Sequence, residues 1–251
     1  MSWTESASAS FACRHSSERP ADAARVLAQL ERARERLAEH FQQPAGELTV
    51  VLHDTPHALA LSNPLMPALW GVTSATARRY AVGWAGRSEL HVLSPLALRA
   101  RATRVSGSFE MLALAPASVY ARRVIAESNR ELQSARLPSR LWSELRWAWL
   151  LEGASRWFSG ETGYSRSVVG AYMRGGRRPS FPPTVRDAPL LGGTLIEMLA
   201  EQEGATAVAR LAGRLHSGGP QTALRLAFGQ RPLMSVENDW RARLRRLADG
   251  G

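Results

Sequence analysis

Lysine is absent from this sequence. All 32 basic residues are arginine, set against 22 acids, for a formal net charge of +10. Cysteine is nearly absent. The lone Cys13 excludes an intramolecular disulfide and any cysteine-based zinc site. No run approaches the 18 or so apolar residues of a membrane span. The opening "MSWTESASASFACRH" has neither a basic n-region nor an apolar h-region, so no signal peptide is expected. A cytoplasmic protein follows as the expectation. No G-x-S-x-G elbow occurs. The glycine pairs in "RGGRR" and "LLGGT" lack the spacing and the lysine of a phosphate loop. Histidine is missing over the whole stretch between His91 and His216.

What is present suits a globule with a sizeable core: 45% of residues are hydrophobic, with eight Trp and fourteen Pro. The arginines are scattered. They read first as a GC-rich, bacterial coding bias, and second as a surface for nucleic acid or an anionic membrane face. The one dense run closes the chain, where Trp240, Leu244 and Leu247 form a core stripe. Arg241, Arg243, Arg245 and Arg246 are expected on the wet sides.

"SFACRHS" alternates weakly, as a first strand. From Pro20, the positions Ala23, Val26, Leu27, Leu30, Ala33, Leu37 and Phe41 share one face of a long amphipathic helix. Leu48 to Leu52 read as a buried strand. Residues 55–84, broken by Pro64 and Pro67, read as irregular chain with one or two short strands. "SELHVLSP" is another strand, read as the edge of the sheet. From about residue 97 helical periodicity dominates, with breaks at 105–108, 134–139, 160–166, 175–189 and 216–220. The layout is α+β: a β-rich N-terminal part over 1–96 with one long helix, and a helical part over 97–251. "RGGRRPSFPP", 174–183, is the candidate mobile loop. Glu127/Glu131 and Glu197/Glu201, each i, i+4, read as solvated helix faces.

One stretch stands out. "WLLEGASRWFSGE", 149–161, is apolar and aromatic, with Glu152 in its middle. A carboxylate on an oily helix costs several kcal/mol to bury without a partner. The stretch fits W-x-x-E-G-x-[AS]-x-[WYF]-F-x-G. Together with the element order and the closing segment "FGQRPLMSVENDWRARL", 228–244, it resembles the peptidase-MA-like metallopeptidases, a gluzincin group. The resemblance covers residues 3–247. It implies a zincin-like fold with a cleft between a small mixed sheet and a helical half. It also implies a His-Glu-x-x-His helix, whose two imidazoles bind zinc while its Glu polarises the zinc-bound water. Glu152 stands where that family's third zinc ligand stands, one helix later.

The helix that should carry the motif is "APASVYARRVIAESNREL", 115–132. Registered on its Y-x-x-x-V-I pattern, it puts Ser118 and Arg122 at the two histidine positions and Val119 at the general-base position. No shift of register supplies a histidine. His53 and His57, i, i+4 at a strand end, make a poor loop metal site. His15, His40, His91 and His216 read as isolated surface or capping residues. Ser118 has no His or Lys base in the sequence. "RDAPLLGGTLIEML", 186–199, offers no Tyr or His to steady an oxyanion. The reading is a pseudopeptidase: no catalytic residue, no metal ligand set and no cofactor, with the cleft kept for a peptide or protein partner. An Arg122–Glu152 ion pair is expected to tie the two helices, with Arg123 as the fallback partner. Trp149 and Tyr120 are expected at the cleft. Two alternatives stay open: an arginine-rich module for nucleic acid or an anionic surface, and a zinc peptidase with an unrecognised ligand set.

Overall fold

The computed structural model describes residues 3–42, 44, 46–129, 132–133 and 137–250. It is an α+β protein with a small mixed N-terminal sheet and a mostly helical remainder. The strands are β1 (Trp3–Ala7), β2 (Phe11–Ser16), β3 (Leu48–His53), β4 (Gly83–Ala85) and β5 (Glu89–Leu93), in spatial order β1-β2-β3-β5-β4. β2, β3 and β5 run parallel, while β1 and β4 pair antiparallel at the two edges. The "VVL" run lies in central β3, buried on both faces, as a parallel strand requires. The strand expected at the edge is therefore internal: β5 is covered by β4. Three residues, one of them Gly83, are too few for alternation to register.

Helix α1 (Pro20–Ala38) bridges β2 and β3. Proline in its first turn, Asp22 near its start and Arg36 in its last turn suit the helix termini. Its buried residues, Ala23, Val26, Leu27, Leu30, Ala33 and Leu37, recur every three or four.

Residues 55–80 are not irregular chain. They form α2 (Pro56–Leu61), α3 (Met66–Val72) and α4 (Ala75–Arg79). Pro56 and Pro67 sit in the first turns of α2 and α3, where a missing N–H costs nothing, while Pro64 does fall in the break between these two helices. Thr55 Oγ1 caps α2 by accepting from Ala58 N at 3.1 Å, and Ser74 Oγ accepts from Ala77 N at 3.4 Å.

The helical remainder runs α5 (Pro95–Arg101), α6 (Ser108–Ala113), α7 (Ala115–Ser128), α8 (Leu137–Arg146) and α9 (Ala148–Ser159). A 3₁₀ turn (Glu161–Tyr164) follows, then α10 (Arg166–Arg174), α11 (Ala188–Glu203), α12 (Ala205–Gly213), α13 (Pro220–Ala227) and α14 (Leu233–Asp249). The expected break at 134–139 is only partly described, since 134–136 lie outside the described residues; α8 already occupies 137–139. Glu131 lies outside them as well. One apolar core runs through the sheet, α1 and the helices. Among the described residues no helix is long and apolar enough to cross a membrane.

Helices α9 and α11 pack at backbone contact. A Cβ on Gly153 would fall 2.5 Å from Gly192 O, and one on Gly192 would fall 2.6 Å from Trp149 O. The glycine after Glu152 is thus a packing requirement. In α14, Trp240 and Leu244 are buried, and Trp240 Nε1 donates to Thr194 Oγ1 at 2.9 Å. Arg243 is not on the wet side: it is clamped by Glu197 and Glu201, each at 2.5 Å. Glu197 is accordingly no solvated residue, with a side chain 14% exposed. The 174–183 stretch has no regular element beyond the end of α10, yet it is anchored. Arg174 Nη1 donates to Ala248 O at 2.9 Å, and the Phe181 ring meets Trp240 at 5.5 Å.

Candidate functional site: an ion ladder at the floor of a cleft

Helices α7 and α9 pack side by side, and each turns one face to a common cavity. From α7 that face is Ser118, Val119, Arg122, Arg123 and Ala126. From α9 it is Ala148, Leu151, Glu152, Ser155 and Arg156. Both sets follow the i, i+3/i+4, i+7/i+8 spacing of a helix face. The opposite wall is β4 with Met66, Leu69 and Trp70 of α3, and the cavity measures about 1160 Å³. Edge strand β4 approaches α7 closely. A Cβ on Gly83 would fall 2.7 Å from both His91 O and Val119 Cγ2, so glycine is required there. Val119 fills the space against the strand.

The antiparallel pattern orients β4. Leu93 N donates to Val82 O at 3.1 Å and Gly86 N to Glu89 O at 2.7 Å, so alternate residues 82, 84 and 86 bond to β5. Gly83 and Ala85, between them, turn N–H and C=O outward, away from β5.

The floor is a ladder of alternating charges. Arg122 Nη1 donates to Glu152 Oε1, and Arg122 Nη2 lies 3.8 Å from Glu144 Oε2. Glu152 Oε2 lies 3.7 Å from Arg156 Nη2, one turn along α9. Arg156 Nη1 then donates to Glu161 Oε1, and Nη2 donates to Tyr80 O at 2.8 Å. Side-chain exposure falls along the ladder, from 31% at Arg122 through 17% at Glu152 and 6% at Arg156 to 2% at Glu161. The outer rung is in contact with solvent; the inner rung is interior. Burial holds the Glu161 carboxyl above the usual carboxylate range, against the opposing pull of Arg156 and a hydrogen bond from Ser118. The Ser118 hydroxyl stands beside the Glu161 carboxyl, and Arg156 Nε and Glu161 Oε2 are shut off from solvent.

The structure brings Ser118, Val119, Arg122 and Glu152 together at this floor. Arg123 turns instead to Glu127, at 2.5 Å, and to Arg87 O. Tyr120 and Trp149 belong elsewhere. Tyr120 is fully buried against Phe11, ring centroids 5.1 Å apart, and neither residue lines the cavity. Tyr120 sits two positions after Ser118, some 200° around the helix, so it faces the sheet side. Trp149 packs in the core, with its carbonyl against Gly192. Arg156 and Glu161 were missed from sequence. Arg156 follows Glu152 at i+4, a spacing that signals an ion pair; Glu161, in a 3₁₀ turn, carries no periodic signal.

The histidines also need correction. His15 and His91 are buried, not surface residues. His53 Nε2 and His91 Nδ1 share a hydrogen bond at 3.0 Å, and the Trp84 ring stacks on His91 at 4.1 Å, 6° from parallel. His57 points out on α2, apart from this pair. Burial and the neighbouring His91 push the His53 pKa down to about 4. Among the described residues no group of three or more His, Cys, Asp or Glu is placed to hold a metal ion.

No family model, curated protein or solved structure matches this chain. The site must be read from its own chemistry.

A basic face for an anionic partner would gather Arg174, Arg177, Arg178 and the arginines of α14, but Arg241 is paired with Glu237 and Arg243 with Glu197 and Glu201. Arg174 is held at Ala248 O, and Arg177 lies over the Tyr172 ring.

Proposed function

We propose that this chain is a pseudopeptidase of gluzincin type: a zincin-like scaffold without a catalytic centre, whose cleft holds an extended peptide or protein segment along β4. One observation carries the reading. Ser118, Arg122 and Glu152, which the resemblance sets at the three ligand positions of a gluzincin, line one cavity floor, and Arg122 and Glu152 form an ion pair there. A guanidinium there repels a divalent cation and takes the carboxylate that would bind it. Val119, at the general-base position, has no proton to move. The outward backbone groups of Gly83 and Ala85 suit pairing with an extended chain, and the mostly apolar walls suit its side chains.

The test restores the ligand set. The triple variant Ser118→His, Val119→Glu, Arg122→His is expected to bind one zinc per chain by isothermal titration, with Glu152 as third ligand, and its Glu152→Ala derivative to bind much more weakly. The parent chain is expected to give no heat and no stoichiometric metal by mass spectrometry. A folded triple variant that ignores zinc would show that α7 and α9 are not a zincin frame. One tightly bound zinc in the parent would show a working ligand set elsewhere and sink the pseudopeptidase.

A further inference from the structure

A helix on the surface of a globule carries polar side chains on its wet face. Helix α3 does not. Its inner side chains, Met66, Leu69 and Trp70, wall the cleft. Its outer face, counted from the residue that opens it, is Leu65, Ala68, Gly71 and Val72, one side of a helix. All four are exposed, Leu65 at 41% and Val72 at 53%. Pro64 and Pro67 beside them are exposed too and add no polar side chain.

The sequence around this face is short of acids. Between Asp54 and Glu110 the one acid is Glu89, against six arginines, so this stretch alone carries half of the net charge of +10. Four of the six gather past the end of α3. Arg78 Nη2 donates to Thr73 O at 3.1 Å, which brings it next to Val72. Arg101 Nε donates to Arg79 O and its Nη2 to Arg78 O, both at 3.0 Å, while Arg79 Nη1 donates back to Arg101 O at 2.9 Å. Arg99, on α5 one turn from the exposed Leu96, lies 5.3 Å over the exposed Phe109 ring. The partners of these arginines among the described residues are carbonyls and a ring, not carboxylates. Burial, and after it the charge of Arg79, hold the Arg101 guanidinium below the ordinary arginine value. On α14, by contrast, Arg241 and Arg243 have acids.

An apolar face edged by guanidinia without counter-charges selects its partner. Nucleic acid offers phosphates, but nothing in which aliphatic side chains gain by burial. An anionic bilayer surface offers both: shallow acyl chain for Leu65 and Val72, and headgroup phosphates for the arginines. We propose that the outer face of α3, with Arg78, Arg79, Arg99 and Arg101 at its C-terminal end, docks the protein on an anionic lipid surface. The helix lies in the interface and spans nothing. The proposal does not rest on what the cleft binds.

The test is co-sedimentation of the full chain with vesicles of phosphatidylcholine alone, and with vesicles containing about a quarter phosphatidylglycerol. The anionic vesicles are expected to bind about tenfold tighter, or more. L65S/V72S changes only exposed side chains, is checked for folding by circular dichroism, and is expected to lose about tenfold on anionic vesicles. R79Q/R101Q is expected to lose about tenfold as well and to keep only the weak affinity for neutral vesicles. The wild-type and L65S/V72S results stand even if the arginine variant does not fold. Anionic binding that L65S/V72S leaves intact would be the general attraction of a basic chain and would overturn the docking face. A short DNA duplex bound as tightly as the anionic vesicles, and released by R79Q/R101Q, would give the arginines to nucleic acid and overturn the lipid partner. No binding to either kind of vesicle would overturn the proposal outright.

Discussion

The outer rung of the ladder can be weighed by a double-mutant cycle on Arg122→Met and Glu152→Gln. Breaking a buried pair by removing one partner costs about 3–5 kcal/mol, and an exposed pair contributes about 0.2–1 kcal/mol. This pair lies between, with side chains 31% and 17% exposed. Neither survivor is stranded. Without Glu152, Arg122 keeps Glu144 at 3.8 Å; without Arg122, Glu152 keeps Arg156 at 3.7 Å. Each single variant is therefore expected to lose about 1.5–2 kcal/mol, below the buried limit, and the double variant about 2–2.5 kcal/mol. The coupling is about 1 kcal/mol. Equilibrium urea unfolding at neutral pH measures it, with unchanged m-values as the sign that the unfolded state is not altered. Partial burial also predicts that most of the coupling survives 0.5 M salt, which screens exposed pairs. A coupling under about 0.3 kcal/mol, within the scatter of additive sites, would refute the reasoning. Arg122 and Glu152 would then be neighbours that do not tie α7 to α9.

Two further outcomes test other parts of the structure. Gly153→Ala puts a methyl group 2.5 Å from Gly192 O, so α9 and α11 must part; a loss of about 1–3 kcal/mol is expected in urea unfolding, and a neutral alanine would contradict the backbone contact. His53 is held neutral, its pKa pushed down to about 4 from 6.5, so the unfolded chain binds the extra proton in between. Stability is fully present above pH 6.5 and is lost as pH falls toward 4, by up to about 3 kcal/mol. His53→Asn should flatten that slope, and an equally steep wild-type and variant profile would assign it to other groups.

Much of this architecture could be read from the chain, and the failures have physical causes. The α1 face is a clean 3–4 repeat because that helix is wet on one side and buried on the other. Residues 55–80 were misread because Pro64 and Pro67 were weighed alike as breakers, whereas Pro64 separates α2 from α3 and Pro67 lies in the first turn of α3. The edge strand was misassigned because β4 is three residues long. At the site, the meeting of Arg122 and Glu152 was legible through helix register and charge. The identity of the cleft-facing aromatics was not. Ten of the twelve residues of α9 are buried, so an aromatic there can face the core as readily as the cavity, and Trp149 faces the core. Glu161 was invisible because a 3₁₀ turn has no period, and its importance comes from burial, which only the fold supplies.

The ladder also bears on how the molecule comes apart. Its rungs join residues far apart in the chain: Arg122 to Glu152, and Arg156 to the carbonyl of Tyr80. Closing such contacts requires the helices and the end of α4 to be already in place, so they belong to the late stages of folding. Interactions absent from the transition state act on the unfolding rate and leave the folding rate nearly untouched. The cluster of charges at the cleft floor is therefore expected to work as a latch: variants that break it should raise the unfolding rate and leave the folding rate nearly unchanged.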